Sequence, residues 1–542
     1  MKTTERKPDI PVVAGIQDPM VNGIANGWQV QEATELNDGS VLEADVVIIG
    51  TGAGGGTSAE ILSAAGLKVL MLEEGPLKSS NDFNMDEREA YRDLYQESAG
   101  RMSKDGAMSI LQGRCVGGTT VINWTSSFRT PKQTLDFWAR EFNVQGLSQE
   151  EMAPWFERME QRLNISDWQV PANENNAVLS RGCTKLGYDW KVIPRNVAGC
   201  WNLGYCGTGC PTNAKQSMLV TTIPSALEQQ SQLIYSARAE RLIIEGNKVL
   251  GVDVTALDAR YQPSGKRLIV KAPHVIMACG GINGPALLKR SNAPDPNNRV
   301  GKRTFLHPVA FNFARFDHTV DPYYGAPQSI YSDHFQWQSV AGAVGYKLEV
   351  PPLQPGLASV LLLGHGSDHF NDIAQLPNTH SMIALLRDGF HAQSQGGNVE
   401  LASDGSPILD YQINDYLWDG FKRAFLTMAE IEFAAGAKAV RASHLDSRWA
   451  SSWQQAQNDI QQLEFRSNAF TAGSAHVMGG LAMGEDLSQC VVDSNGKYHY
   501  LDNLYVFDGS VFPTSIGANP QLSIYGLVAR QATLLAQKLK PA

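Results

Sequence analysis

The sequence has no stretch of the roughly 18 to 20 apolar residues needed to cross a bilayer. A typical apolar run, residues 357–363, is far too short. Residues 1–11 are polar and charged and have no apolar core of a secretory signal. An excess of basic charge is also missing. Lys plus Arg number 45 against 55 Asp plus Glu, a formal net charge of −10, which argues against nucleic acid as the main partner. Cysteine is scarce and odd in number, seven in 542 residues, so a full disulfide set within one chain is impossible. There is no G-x-S-x-G nucleophile elbow and no H-E-x-x-H metal helix. Nor is there an internal repeat or a low-complexity linker, so the domains are expected to share segments instead of following one another. The expected compartment is the cytoplasm, with peripheral membrane contact left open.

What is present is a chain able to bury a large core. Hydrophobic residues make up 43% and charged residues 18%, which excludes a disordered chain or a disulfide-stapled miniprotein. Residues 1–40 lack strong periodicity and read as an extended N-terminal arm. The run Val46, Val47, Ile48, Ile49 is of the kind buried in a parallel sheet. A glycine-rich turn follows, then a helix over 57–65 that Gly66 is placed to end, then a strand over 69–72. Residues 81–110 read as mixed helix and loop, and 147–164 as helix. Strands are expected at 233–235, 242–244, 249–254 and 275–278, with a turn at Gly246 and Asn247 and a helix after Gly280 and Gly281. Residues 305–412 fit an antiparallel sheet. Leu417, Phe421, Phe425, Met428 and Phe433 mark an amphipathic helix over 415–435.

The glycine turn has the dinucleotide spacing: Gly50, Gly52 and Gly55 sit between strand and helix, and Glu73 ends the second strand. The first glycine permits the tight turn, the second lets the backbone approach a pyrophosphate, and the third lets helix and strand pack closely. The helix N-terminus then offers free N–H groups and the positive dipole end to phosphates. Glu73 can accept hydrogen bonds from ribose hydroxyls. The fingerprint alone does not separate FAD from NAD.

Four further segments narrow the choice. They are residues 113–123 (Gly-Arg-Cys-Val-Gly-Gly-Thr-Thr-Val-Ile-Asn), residues 278–285 (Ala-Cys-Gly-Gly-Ile-Asn-Gly-Pro), residues 476–484 (His-Val-Met-Gly-Gly-Leu-Ala-Met-Gly) with 491–493, and residues 504–513 with Asn519 and Pro520. Taken in order with the fingerprint, they resemble the glucose–methanol–choline (GMC) oxidoreductase family, over about residues 44 to 537. Within it the chain looks closest to bacterial long-chain alcohol oxidases and dehydrogenases, through residues 209–217 (Gly-Cys-Pro-Thr-Asn-Ala-Lys-Gln-Ser).

The resemblance implies an α/β fold, with an elongated Rossmann-like FAD-binding domain interleaved with a substrate domain built on an antiparallel sheet with flanking helices. The expected division is 41–130, 191–304 and 470–542 for FAD, and 131–190 and 305–469 for substrate. Gly117, Gly118 and Asn123 match the loop beside the pyrophosphate and flavin ring, and Ala239 a backbone contact to adenine. Asp508 matches the position near the ribityl chain, and Asn519 and Pro520 the flavin's reactive face. Some family members attach FAD through a His in the first of these loops. This chain has Val121 and Ile122 there, so the FAD is expected to be non-covalent.

His476 matches the family's catalytic His, and Asn519 its partner. A neutral imidazole near its ordinary pKa can take a hydroxyl proton while flavin N5 takes the hydride. Asn519 cannot act as a base but can hold the substrate oxygen in register. His307, followed by Pro308, also matches a family pattern and is expected to be structural. Cys200, Cys206 and Cys210 leave three readings open: a three-iron iron–sulfur cluster, one disulfide, or inert thiols. Tyr323, Tyr324, Tyr331, Phe335, Trp337, Met382, Leu385 and Phe390 are candidates to roof the flavin, though each is as a rule a core residue. No charge cluster suits a sugar acid or a quaternary amine, so an apolar primary alcohol fits best, with oxygen, quinone or cytochrome as electron acceptor. The alternatives are a sterol or polyol dehydrogenase, a non-redox cyanohydrin lyase, and a flavin-binding protein without turnover.

Overall fold

A computed structural model describes residues 16–539. Six parallel strands form one sheet in the order Gln29–Glu32, Gln232–Tyr235, Val69–Leu72, Val46–Ile49, His274–Met277, Leu504–Val506. Every residue of Val46–Ile49 and Val69–Leu72 is buried. That is why the two strands read as unbroken aliphatic runs: cover on both faces leaves no side for polar residues. The strand that follows Val46–Ile49 in sequence lies on one side of it, and His274–Met277 on the other. The winding therefore changes direction at Val46–Ile49, and the loop leaving that strand opens into a crevice. The helix Ala53–Ala64 packs on the C-terminal helix Gln521–Leu539. It begins before Thr57, because the glycine turn runs straight into it.

The first residues differ from the arm expected of them. Residues 1–15 lie outside the described residues. Beyond them, Asp18 caps a helix Pro19–Ala25 by accepting from the N–H groups of Met20 and Val21. Gln29–Glu32 then forms the edge strand of the parallel sheet. Its side chains alternate between half-buried and exposed, so no apolar run announces it.

The large sheet runs Met108–Ile110, Ala472–Ser474, Val309–Arg315, Thr379–Leu386, Tyr346–Glu349, Ile330–Ser332, Lys191–Val192, with Ala439–Ala442 pairing on Val309–Arg315. All its pairs are antiparallel except the first. Strand parity decides its two faces. Met382, Ala384 and Leu386 join Phe421, Phe425 and Met428 of the helix Asp415–Ala435 in one core. Ile383 and Leu385 point the other way and cluster with Val309 and Phe311. The helix has the bounds expected of it. Asn414 caps its start through Leu417 N, and Gly436 ends it at φ 107°.

Two smaller sheets complete the fold. Ala237–Glu245, Lys248–Leu257 and Pro263–Lys271 form an antiparallel meander joined by Ser40–Glu43, with Glu245 opposite Lys248 across the Gly246 turn. Pro407–Asp410, Gly397–Leu401, Lys302–Phe305 and Met478–Gly479 form the other. Among the described residues no helix is long and apolar enough to cross a membrane.

Candidate active site

The C-terminal ends of the parallel strands open into a cavity of about 960 Å3. Its lining takes in Ala239, Gln262 and Pro263, the turn Gly50 to Gly54, then Gly118 and Asn123, and His476, Asn519 and Pro520. Gly50 stands at φ 98°, and a Cβ on it would run into the carbonyl of Ala278. Gly52 caps the helix Ala53–Ala64 without any side-chain hydrogen bond, so the first helical N–H groups have no side-chain acceptor. A Cβ on Gly118, itself at φ 55°, would sit 2.8 Å from Gly52 Cα. Two glycine backbones thus meet across a gap that side chains would fill. Gly55 and Gly117 do not line the cavity. Gly55 packs against the carbonyl of Gly50 from behind, as the spacing implies, and Gly117 turns its loop at φ 93°.

Thr51, inside the fingerprint but not singled out by it, joins these parts. Its hydroxyl donates to Glu73 Oε2 at 2.6 Å and accepts from Gly117 N at 2.9 Å. Glu73 also accepts from Thr51 N and Gly75 N, both at 3.0 Å. Burial raises its pKa, opposed by those bonds. A carboxylate has about four acceptor positions, so roughly one remains for the ribose that the sequence assigned to it. Asp508 is likewise buried and accepts from Gly280 N at 2.7 Å and Ser510 N at 2.8 Å. Ala239 sits at a β-bulge, where the register shifts between Ala239 and Arg241; bulges re-aim the backbone beside sites. Asn123 donates to Gln521 Oε1 at 2.7 Å and accepts from Thr125 N at 3.2 Å. The buried Lys215 ammonium donates to the carbonyls of Val121, Asn123 and Cys206, which pins this loop; burial pushes its pKa down to about 8.

His476 is half-buried and faces the cavity. Its surroundings push its pKa down to about 4 through loss of solvation, well below the ordinary value expected from sequence. The ring is therefore neutral at pH 7. Its Nδ1 lies 3.3 Å from Nδ1 of His307. Asn519 is 4% exposed; its Nδ2 donates to Glu349 Oε2 at 3.1 Å, and its Oδ1 has no partner. Glu349 is fully buried, accepts also from Gln328 Nε2 at 2.6 Å, and has its pKa raised by burial. Since a carboxylate is an acceptor, it orients the Asn519 amide with the oxygen turned away. Glu349 and Gln328 were not legible in the sequence, because nothing local ties residue 349 to residue 519.

Of the eight side chains named for the roof, only Leu385 lines the cavity. Met382 points to the opposite face of its strand. Tyr331 holds the buried Lys347 ammonium 3.7 Å from its ring centroid, while Trp337 and Phe390 flank the Arg387 guanidinium at 4.4 Å each. Phe335 stacks on Tyr346, and Tyr324 is 61% exposed. The wall is instead made by Val309, Phe311, Ile383 and Leu385, with Leu357, Val360 and Leu361 beside them.

Cys200, Cys206 and Cys210 are free thiols. Their sulfurs lie against Asn202 N, Arg195 Nη2 and Thr212 Oγ1. Among the described residues no group of three or more His, Cys, Asp or Glu side chains is arranged to hold a metal ion. The iron–sulfur cluster has no support, and neither has the disulfide.

The donor set fits FAD. Glycine-lined backbone N–H groups at a helix N-terminus suit a pyrophosphate, and the cavity is long enough in lining to reach from the bulge at Ala239 to the unpartnered oxygen of Asn519. A parallel sheet that presents such a turn to a deep cavity with an imidazole in its lining defines a nucleotide-cofactor oxidoreductase. The chain belongs to the GMC oxidoreductase family: the family's N-terminal model matches residues 91–309 and its C-terminal model residues 392–527. Members of this family bind FAD. An uncharacterized GMC-type oxidoreductase of Sinorhizobium fredii, y4nJ, is 29% identical over 505 residues, 92% of this chain and 95% of that one. The long-chain-alcohol oxidase FAO3 of Arabidopsis thaliana is 27% identical over 534 residues, 93% of this chain and 69% of that one. Among solved structures, the Aspergillus oryzae formate oxidase superposes with a TM-score of 0.67 at 16% identity, over 93% of this chain and all of the other. At that identity the likeness is one of fold.

Proposed function

We propose that this protein oxidises an apolar primary alcohol to its aldehyde with non-covalently held FAD. The observation that carries the reading is a meeting in one cavity: a neutral imidazole, an unpartnered amide oxygen and an apolar wall. The turn from Gly50 to Gly52 and the helix behind it, supported by Gly55, would hold the pyrophosphate. Ala239 would meet the adenine and Glu73 the ribose. Asp508, Gly117, Gly118, Asn123 and Pro520 would surround the rest. FAD seated there supplies a two-electron acceptor that takes hydride at N5.

His476 is the proton acceptor. Its Nδ1 is engaged by His307, which leaves Nε2 for the hydroxyl proton. Loss of solvation keeps the ring neutral, so it is ready to accept at any pH above about 4. Asn519 Oδ1 orients the substrate hydroxyl by accepting from it, and Glu349 holds that amide in place. Val309, Phe311, Ile383 and Leu385 take up the alcohol's hydrocarbon and exclude water. The names of relatives such as the plant long-chain-alcohol oxidases support both an apolar alcohol and oxygen as the electron acceptor.

Anaerobic stopped-flow mixing with hexanol, dodecanol, benzyl alcohol and glucose checks the reading. Bleaching of the flavin by the first three, with kcat/KM at least about tenfold above glucose, is expected from the apolar wall, since each buried methylene contributes about 0.8 kcal/mol. A glucose preference would point to a polyol dehydrogenase, and no bleaching by any alcohol to a lyase or a carrier. Reoxidation by oxygen with release of hydrogen peroxide is expected; reoxidation by a quinone alone would replace the oxidase with a dehydrogenase. Acid precipitation is expected to leave all of the yellow colour in the supernatant, and colour in the pellet would reveal a covalent link.

A further inference from the structure

We infer that His307 is a positioning residue: as a neutral hydrogen-bond acceptor it fixes the Nδ1–H tautomer of His476 and steadies the imidazolium that His476 becomes. The inference rests on the reading of His476 as proton acceptor.

His307 carries two unfavourable features at once. It stands at φ 51° in the left-handed region, although it is not glycine. It is fully buried, yet its Nε2 has no hydrogen-bond partner. Strain and an orphaned polar atom on one residue persist only where the surroundings enforce them. Here the enforcing group is Asp388. Its Oδ1 accepts from His307 N at 3.1 Å, and its Oδ2 accepts from Leu306 N at 3.1 Å and from the Tyr411 hydroxyl at 2.8 Å. On the other side, Ser474 donates to the Leu306 carbonyl and accepts from His476 N at 3.1 Å. Both backbones are thus clamped, and the two rings are left with Nδ1 facing Nδ1 at 3.3 Å.

A contact between two ring nitrogens of the same kind needs one donor and one acceptor. If His307 donated, the His476 proton would sit on Nε2, and the nitrogen facing the substrate could only donate. If His476 donates from Nδ1, its Nε2 carries the lone pair that a base requires. His307 then keeps its own proton on the orphaned Nε2. His307 cannot take the substrate's proton instead. Burial, His476 once it is protonated, and the Lys347 and Arg387 cations hold its pKa well below the ordinary value, with Asp388 engaged by backbone N–H groups. The proton leaves the alcohol oxygen for His476 Nε2. The Nδ1–H bond to His307 then becomes charge-assisted and strengthens as charge develops.

Two measurements separate this from a packing role. Ring 15N NMR of histidine-labelled holoenzyme at pH 7, with the His476 signal assigned by its loss in His476→Asn, is expected to show the Nδ1–H tautomer. An Nε2–H tautomer would overturn the inference, and this measurement needs no variant of His307. His307→Leu is expected to lower the rate of flavin reduction by alcohol about 10- to 100-fold, the range of a charged hydrogen bond. His307→Asn, whose Oδ1 can stand where Nδ1 stood, is expected to remain within about fivefold of wild type. Equal rates in wild type and His307→Leu, or equal damage in both variants with flavin retained, would also overturn it. A wild-type flavin that no alcohol bleaches would sink the proposed function instead, and the tautomer would still be readable.

Discussion

His476→Ala is expected to bind FAD at wild-type stoichiometry and to lose about a thousandfold in the rate of flavin reduction by alcohol, within the range typical of general base catalysis. The side chain lines the cavity and touches His307, but no backbone hydrogen bond depends on its ring. The cofactor site should therefore survive the truncation. Rapid-mixing absorbance at the flavin band under anaerobic conditions measures the loss. The pH dependence carries a sign that can be checked in the wild type. A ring with its pKa lowered to about 4 is unprotonated, and able to accept a proton, everywhere above that value. The reduction rate should stay level from pH 8 down to pH 5 and fall only as pH drops through about 4. An acid limb near 6.5 would mean that the imidazole is solvated like a free one, and wild-type-like reduction in His476→Ala would remove its role altogether.

The second large effect is expected at the cradle. Gly118→Val should yield a folded but colourless protein, with less than about a tenth of the flavin of wild type, as two effects act together. Position 118 stands at φ 55°, where a β-branched residue is strained. Its Cβ would also press to 2.8 Å from Gly52 Cα, across the gap proposed for the pyrophosphate. The ratio of flavin to protein absorbance measures the loss, and far-ultraviolet circular dichroism separates it from unfolding. A fully yellow Gly118→Val protein would show that the cofactor does not pass between these two loops.

The mismatch at the roof shows where reading by residue type fails. Tyr331, Trp337 and Phe390 were candidates because aromatic rings suit a flavin-covering wall. They are spent instead on two buried cations, Lys347 and Arg387. Met382 and Leu385 looked equivalent, yet an odd number of positions separates them, so a strand sends them to opposite faces. Which face meets the cavity depends on the helix Asp415–Ala435 that covers the other one.

Local chemistry was enough for the glycine turn, because tight φ values and close backbone approach are demanded within a few residues of one another. The strand Val46–Ile49, the helix Asp415–Ala435 and the antiparallel middle were legible for the same reason: burial on one side or both writes its period directly into neighbouring residues. Pairings such as His307 with His476 and Glu349 with Asn519 were set only when segments distant in sequence came together. A hydrogen bond between side chains leaves no periodic trace along the chain, and its donor and acceptor are assigned by whatever the fold packs behind them.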